Sequence, residues 1–112
     1  MSLKKGKYKV TLYHETECPD CNELKKLLNE NDISYTNKCI TRDDKLSENE
    51  KMTNDNNRWE FIDFSKEHPE EFRFAPVLVI EDEEFNYNFL SSGYHFERPE
   101  HAIEILKEKY QS

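Results

Sequence analysis

Two cysteines separated by two residues, Cys18 and Cys21, form the pattern with the clearest chemical meaning in the sequence. They follow a strand-like run at 7–13 and precede a helix-like stretch at 22–29. A thiol at a strand–helix junction lies near unpaired backbone N–H groups and the positive end of the helix dipole, which both favour the thiolate. Because the thiolate is the nucleophile of disulfide exchange, the spacing and the placement together predict thiol–disulfide chemistry.

We expect the position of the two thiols in the first turn of the following helix to give them different reactivities. Pro19 suits the first helical position, because the N–H that it lacks would have no partner there. A helix N-terminus contributes about 0.3–1 kcal/mol, which lowers the pKa of a thiol by roughly one unit from about 8.5. We expect Cys18 to have a pKa of about 7 and to attack a substrate disulfide. Cys21, one helical turn further along, is expected to attack Cys18 and release the product.

The composition excludes several classes of function. The chain of 112 residues has a formal charge of −8, from 24 acidic and 16 basic residues, and lacks a basic stripe that would bind nucleic acid. The basic cluster at 4–7 is interpreted as a solvated lead-in to the first strand. No run approaches the roughly 18 apolar residues of a membrane span. Three cysteines are too few for a secreted fold held by disulfides, so the expected compartment is the cytoplasm. The length of 112 residues predicts a single domain over 1–112, and we expect the protein to be a monomer.

The periodicity of apolar residues predicts strands and helices that alternate and end in a hairpin and a helix. The predicted strands are 7–13, 33–40, 77–80 and 85–89, and the predicted helices are 22–29, 58–67 and 99–110. Asn31 is a candidate left-handed cap for the first helix. The polar segment at about 41–57 is interpreted as an insertion or a mobile loop. Within it, 47–50 (Ser-Glu-Asn-Glu) has the spacing of a capping box and marks the start of a short helix.

Apolar faces on the helices define the expected core. In chain order, these faces contain Cys21, Leu24, Leu27, Leu28, Trp59, Phe61, Ile62, Ala102, Ile103, Leu106 and Tyr110. The strand at 77–80 is uniformly apolar, as expected when both of its faces are covered. The order βαβαββα, with the dithiol after the first strand, predicts an α/β protein with the thioredoxin fold. In that fold a four-stranded mixed sheet is flanked by helices.

From residue 7 to residue 110 the chain resembles a glutaredoxin, a small reductase with the thioredoxin fold. The segment 10–13 (Val-Thr-Leu-Tyr) followed by 18–21 (Cys-Pro-Asp-Cys) is similar to the first strand and the active site of that family. The segment 74–77 (Phe-Ala-Pro-Val) is similar to the second site element, a proline held in the cis form opposite the dithiol. The resemblance implies that the Ala75 backbone pairs with an extended substrate and that Pro76 packs against the two sulfurs.

The sequence departs from that family in two places. Glu15 stands where glutaredoxins usually carry a lysine, and Ser92-Gly93 replaces the paired glycines and acidic residue that hold the free end of glutathione. Further carboxylates surround the dithiol, and glutathione is an anion, so we expect weak use of glutathione. No bound cofactor is implied, and either glutathione or a flavoprotein reductase would supply electrons. The residues expected to contact the substrate are Pro19, Asp20, Ala75, Pro76, Ser92 and Gly93.

The implied partner is a protein that carries a disulfide, and ribonucleotide reductase is a typical client of the family. Two other classes stay open on the sequence. His14, Cys18, Cys21 and Cys39 include the ligand types of a zinc or iron–sulfur site. A non-catalytic module that docks on a partner is the third interpretation. Cys39 by itself is interpreted as a buried small hydrophobe, with a regulatory thiol as the alternative, and His14 as a polar edge residue rather than a ligand or base.

Overall fold

The structure is a computed structural model that describes residues 8–41, 44–70, 75–84 and 86–110. Four expectations lie wholly or partly outside these ranges: the basic cluster at 4–7, residues 42–43 of the polar segment, the Phe74 end of the proline element and the Phe85 start of the last strand. The side chain of Tyr110 also lies outside the description.

The described residues form a mixed sheet of four strands with three helices. The elements are β1 (Tyr8–His14), α1 (Pro19–Glu30), β2 (Thr36–Cys39), α2 (Glu48–Glu67), β3 (Val77–Asp82), β4 (Tyr87–Ser91) and α3 (Pro99–Tyr110). The strand order is β2-β1-β3-β4. Strand β1 is parallel to β2 and antiparallel to β3, which is in turn antiparallel to β4. This is the thioredoxin fold that the sequence predicts.

Helix α1 confirms the predicted position of Pro19, begins three residues before the predicted range 22–29, and corrects the predicted cap at its end. Pro19 occupies the first turn, and Cys18 is the N-cap with an extended backbone. Asn31 has a φ of −96° and is not left-handed; its side-chain amide donates to the Leu27 carbonyl at 2.8 Å. The left-handed residue is Asp32, with a φ of 56°. The predicted cap is therefore wrong by one position.

Helix α2 begins ten residues before its predicted start. Residues 48–57, which the sequence assigned to an insertion or a mobile loop, are its first turns, and the helix then runs unbroken to Glu67. The capping box does mark a helix start: Ser47 is the N-cap, and its Oγ accepts the Glu50 N–H at 3.2 Å. The early turns carry few apolar side chains, so hydrophobic periodicity gives no signal for them.

The two faces of the sheet bury different side chains. One face, here called the aliphatic side, packs against α1 and α3 through Val10, Leu12, Leu24, Leu28, Ile33, Leu78, Ile80, Leu90, Phe96, Ala102, Ile103 and Leu106. The other, here called the aromatic side, packs against α2 through Tyr13, Ile40, Val77, Val79 and Phe89, with Phe61 and Phe64 partly buried. Trp59 is 64% exposed, so its predicted place in the core is wrong. Within the described ranges, the helices are too short or too polar to cross a membrane.

Candidate active site

Cys18 and Cys21 are joined by a disulfide, and their Cα atoms lie 5.2 Å apart. The Cys18 sulfur accepts the backbone N–H of Cys21 at 3.2 Å, as expected for an N-cap side chain. Cys18 is partly exposed, whereas Cys21 is fully buried on the inner face of α1. The pair is therefore asymmetric: Cys18 is partly accessible to solvent and Cys21 is not.

A hydrogen bond from a neighbouring segment holds the loop that leads into the dithiol. The Thr16 N–H donates to Thr41 Oγ1 at 2.7 Å, and the two threonine hydroxyls lie 3.3 Å apart. The next residue, Glu17, has a φ of 57°, in the left-handed region that few residues other than glycine adopt. Thr41 thus helps to fix the backbone that leads into Cys18.

Three side chains of α2 bind the segment that carries Thr41. Asn57, Arg58 and Asn54 donate to the carbonyls of residues 39, 40 and 41 at 2.9, 3.2 and 3.1 Å respectively. We call these three residues the polar clamp. Asn54 and Asn57 are buried, so their amides satisfy carbonyls in a place with little access to water. Sequence reasoning missed the clamp because two of its members lay in a segment interpreted as a loop.

The strand registers bring several predicted site residues to one end of the sheet. Cys39 is in register with His14 on β1. The register of β3 against β1 places Pro76, one residue before β3, beside His14 on the other side. On the β4 side of Pro76, the Ser92 N–H donates to the Pro76 carbonyl at 3.0 Å. We call Cys39, His14, Pro76 and Ser92 the end row; it lies where β1 runs into the dithiol loop.

The peptide bond before Pro76 has the cis form that the resemblance implies, while the packing of Pro76 against the two sulfurs stays a prediction. The Ala75–Pro76 peptide bond is cis, Pro76 is fully buried and Ala75 is partly exposed. Next to Ser92, Gly93 is exposed with a φ of 83°, a conformation that side chains disfavour. The structure therefore brings Pro76 and Ser92 together at the dithiol end of the sheet. Contact between these residues and a substrate stays a prediction.

A family model for glutaredoxin matches residues 10–85, a range that begins within β1 and ends between β3 and β4. The chain belongs to the glutaredoxin family. Glutaredoxins are in general thiol oxidoreductases that usually need no bound cofactor. The matched segment contains both cysteines of the dithiol and Pro76, whereas Ser92 and Gly93 lie beyond it. A comparison with curated proteins found no match.

The dithiol of this glutaredoxin has an acidic rim, which we define as Glu15, Glu17, Asp20 and Glu23. The first three are exposed and Glu23 is partly exposed. Among the described residues, the ion pairs within 4 Å join other side chains, so no such pair neutralises the rim. The rim therefore presents negative charge around Cys18.

Cys39 is a free cysteine that is partly exposed, not a buried small hydrophobe as the sequence suggested. Over the described part of the chain, no three His, Cys, Asp or Glu side chains are placed to hold a metal ion. His14, Cys18, Cys21 and Cys39 are thus not gathered into a metal centre here. The metal-holding interpretation gains no support from their placement.

His14 departs furthest from its expected role. It lies on a central strand and is only 6% exposed, so it is not a polar edge residue. Both ring nitrogens are buried, and neither has a hydrogen-bond partner among the described residues. Burial, and then the charge of Lys25, lowers the pKa of His14, while the Glu15 backbone, which interacts with the ring outside good hydrogen-bond geometry, raises it. Its alternation with Val10 and Leu12 was the sequence signal for an inward side chain.

Proposed function

We propose that this glutaredoxin reduces protein disulfides by a dithiol mechanism, with Cys18 as the attacking thiolate and Cys21 as the resolving thiol. The asymmetry of the pair carries the proposal: Cys18 is a partly exposed N-cap, and Cys21 is fully buried one turn further along α1. A substrate disulfide can approach only the first sulfur. The N–H of Cys21 that donates to Cys18 Sγ would stabilise a thiolate there, which supports the same assignment.

The reaction is a sequence of two exchanges. The Cys18 thiolate attacks a substrate disulfide, a bond forms between the two sulfurs, and the other substrate sulfur leaves as a thiolate. Cys21 then loses its proton and attacks Cys18 Sγ, which breaks the mixed disulfide and releases the second substrate thiolate. Two electrons pass to the substrate. The protein ends with the Cys18–Cys21 disulfide, the form that the structure describes.

The substrate would lie across the dithiol end of the sheet. We assign its extended segment to the backbone of Ala75, which is partly exposed before the buried Pro76. Flanking contacts would come from the first turn of α1 and from the loop after β4. The residues assigned to them are Pro19, Asp20, Ser92 and Gly93.

Trapping of the mixed disulfide tests the roles of the two cysteines. In a Cys39→Ser background, which removes the free thiol, Cys21→Ser should accumulate a covalent adduct with a disulfide-bonded protein substrate. Cys18→Ser should accumulate none, because the buried Cys21 cannot reach the substrate. Non-reducing electrophoresis and intact mass measure both. Equal trapping by the two variants would contradict the assignment.

We further propose that glutathione is a poor electron donor. A flavoprotein reductase or another protein with a basic face would instead reduce the Cys18–Cys21 disulfide. The acidic rim supports this proposal, because its charges repel an anionic tripeptide and attract a basic docking surface. The expected setting is the cytoplasm, with the protein acting as a monomer. Ribonucleotide reductase, a client typical of the family, is one substrate to test.

Charge reversal at the rim tests the choice of donor. Glu15→Lys combined with Glu17→Lys should raise turnover of a small glutathione mixed disulfide roughly two- to tenfold at low salt. The gain should shrink as salt screens the charges. A matched control is Glu83→Lys with Glu84→Lys, which makes the same charge change in the β3–β4 turn, at the other end of the sheet. If both pairs raise turnover equally, the effect is one of net charge and the assignment of the rim is wrong.

A further inference from the structure

By strand alternation, His14 belongs to the side of the sheet that α1 covers, and the buried face of α1 includes Cys21. Side chains alternate along β1, and Val10 and Leu12 belong to the aliphatic side, so His14 points the same way. Helix α1 covers that side and turns Cys21 inward. The charge of Lys25, four residues after Cys21, acts on the His14 ring. The ring therefore lies near the helix turns that carry the resolving thiol.

The ring nitrogens of the buried imidazole interact with the Glu15 backbone but make no hydrogen bond of good geometry among the described residues, and this is the observation that needs an explanation. The structure describes the disulfide form, in which Cys21 has no proton to donate. Reduction would give Cys21 an S–H group and His14 a donor on the same side of the sheet. Of the described residues that are buried, His14 alone has a side chain that can accept a proton near neutral pH.

The groups around His14 suit a neutral imidazole that faces a thiol. Helix α1 contributes Cys21 and Lys25, β2 contributes the in-register Cys39, and the uncharged Pro76 lies on the β3 flank. The part of α3 that packs on this side is apolar. The positive charge of Lys25 disfavours a second cation on His14. A transferred proton would therefore stay on His14 only for the duration of the exchange.

We propose that His14 is the internal proton acceptor for the Cys21 thiol in the resolving step, an inference that rests on the function proposed above. Cys21 is fully buried, so its thiol ionises poorly without a nearby base. The buried part of the described chain offers no carboxylate to act as that base. His14 fills that role from the strand that leads directly into the dithiol loop.

The step balances in protons and electrons. A ring nitrogen of neutral His14 takes the proton of Cys21, and the sulfur of Cys21 attacks Cys18 Sγ. The Cys18–substrate bond breaks, and its electron pair leaves with the substrate sulfur as a thiolate. His14 returns to the neutral form by giving its proton to this thiolate or to water. The net change is the two-electron reduction already described.

The resolving step can be measured alone with a chromogenic aromatic disulfide, 5,5′-dithiobis(2-nitrobenzoate). Reduced protein in the Cys39→Ser background releases one aromatic thiol when Cys18 attacks the reagent and a second when Cys21 attacks Cys18. Stopped-flow absorbance separates the two releases across a range of pH. His14→Gln is compared with His101→Gln, a substitution at an exposed histidine of α3. Circular dichroism checks the fold, and His14→Asn provides a second variant.

At pH 7 the second release should slow by about a hundredfold or more in His14→Gln, as expected for loss of a general base. Its rate should then rise about tenfold per pH unit, because hydroxide replaces the imidazole. The parent and His101→Gln should show a plateau that falls only as His14 becomes protonated. The first release should be unchanged in all variants. A second release in folded His14→Gln or His14→Asn with the parent rate and pH profile would overturn the proposal.

NMR titration gives a readout that does not depend on the substitution at position 14. The ¹⁵N shifts of His14 should report a different pKa in the reduced protein than in the disulfide form or in Cys21→Ser. The same pKa in all three would overturn the proposal. Both measurements use a reagent disulfide or no substrate at all. They therefore stay informative even if the protein reduces no client disulfide, which would overturn only the proposed function.

Discussion

The two sides of the sheet are held by different kinds of contact. On the aliphatic side, α1 and α3 bury leucine and isoleucine side chains, and burial itself is the stabilising effect. On the aromatic side, α2 contributes partly buried rings and the polar clamp, so directional contacts replace much of the burial. Phe64, for example, lies edge-on to Tyr13 and Phe89, with ring centroids 6.4 and 5.5 Å apart.

This difference matches what each side does for the dithiol. On the aliphatic side, Cys21 lies on the buried face of α1 with Leu24 and Leu28, which keeps water from the thiol that we propose resolves the mixed disulfide. The aromatic side fixes residues 39–41, and through Thr41 the loop that leads into Cys18. One side thus sets the environment of the second sulfur, and the other sets the path of the backbone to the first.

The largest effect should follow loss of a side chain from the aliphatic side. Leu24 is fully buried on α1, so Leu24→Ala removes buried surface and leaves a cavity. We expect a loss of about 2–5 kcal/mol of unfolding free energy, measured by urea denaturation. Leu27→Ala on the same helix is the matched control, because Leu27 is only partly buried and should lose clearly less. Equal losses would mean that burial does not dominate on this side.

On the aromatic side, loss of a clamp residue should cost less than loss of Leu24. Asn57→Ala leaves the carbonyl of Cys39 without its donor at 2.9 Å, for an expected loss of about 1–3 kcal/mol. The neighbouring Asn56 is exposed, so Asn56→Ala should change stability by less than about 0.5 kcal/mol. Urea denaturation measures both. Similar values for the two variants would show that the clamp does not stabilise α2.

Among the described residues, Tyr13 on the aromatic side and His14 on the aliphatic side are buried titratable groups, and the two should affect stability at opposite ends of the pH range. Burial raises the pKa of Tyr13 on the aromatic side, and the charge and hydrogen bond of Glu60 raise it further. The folded state therefore holds the phenol proton more tightly, and stability should fall as pH rises above the ordinary tyrosine value of about 10. Tyr13→Phe should weaken this alkaline loss. The prediction would be contradicted if the stability of that variant fell with rising pH as much as that of the parent protein.

His14 should have the opposite effect on the aliphatic side. Its pKa is lowered in the folded state, first by burial, so the unfolded chain binds the proton more readily. Stability should be complete above the unfolded value of about 6.5 and should fall as pH drops below it. His14→Gln should reduce this loss of stability at low pH, whereas His101→Gln, at an exposed histidine, should leave it unchanged. The midpoint of thermal unfolding is measured between pH 5 and 8. If it falls as steeply at low pH in His14→Gln as in His101→Gln, the prediction is wrong.

The same contrast explains how far the sequence predicts the fold. Helix α1 could be predicted because a helix that packs by burial needs an apolar face, and Leu24 and Leu28 provide it. The first half of α2 could not, since Asn54 is buried for its hydrogen bond and periodicity counts it as polar. Trp59 was expected in the core because it is large and apolar. The hydrophobicity of one residue, however, does not determine which face of a mostly polar helix packs against the sheet.

The site shows the same division. The dithiol and its place at the start of a helix follow from local pattern, and the cis Ala75–Pro76 bond followed only from the family resemblance. The end row depends on strand register, which brings together residues far apart in the chain and which no local pattern encodes. His14 was missed because a polar side chain is usually exposed, and that expectation outweighed its alternation with Val10 and Leu12 on the same strand.

The smallest effect should come from Trp59, the single tryptophan of the chain. Its side chain projects from α2 with 64% of its surface exposed, so Trp59→Ala should change stability by less than about 0.5 kcal/mol. Phe64→Ala on the same helix is the matched comparison and should cost clearly more, because Phe64 packs against Tyr13 and Phe89. Acrylamide quenching gives an independent check, since an exposed indole should be quenched almost as readily in the folded protein as in urea. Strong protection of Trp59, or a loss as large as that of Phe64→Ala, would mean that α2 turns a different face to the sheet and that the aromatic side is packed by burial after all.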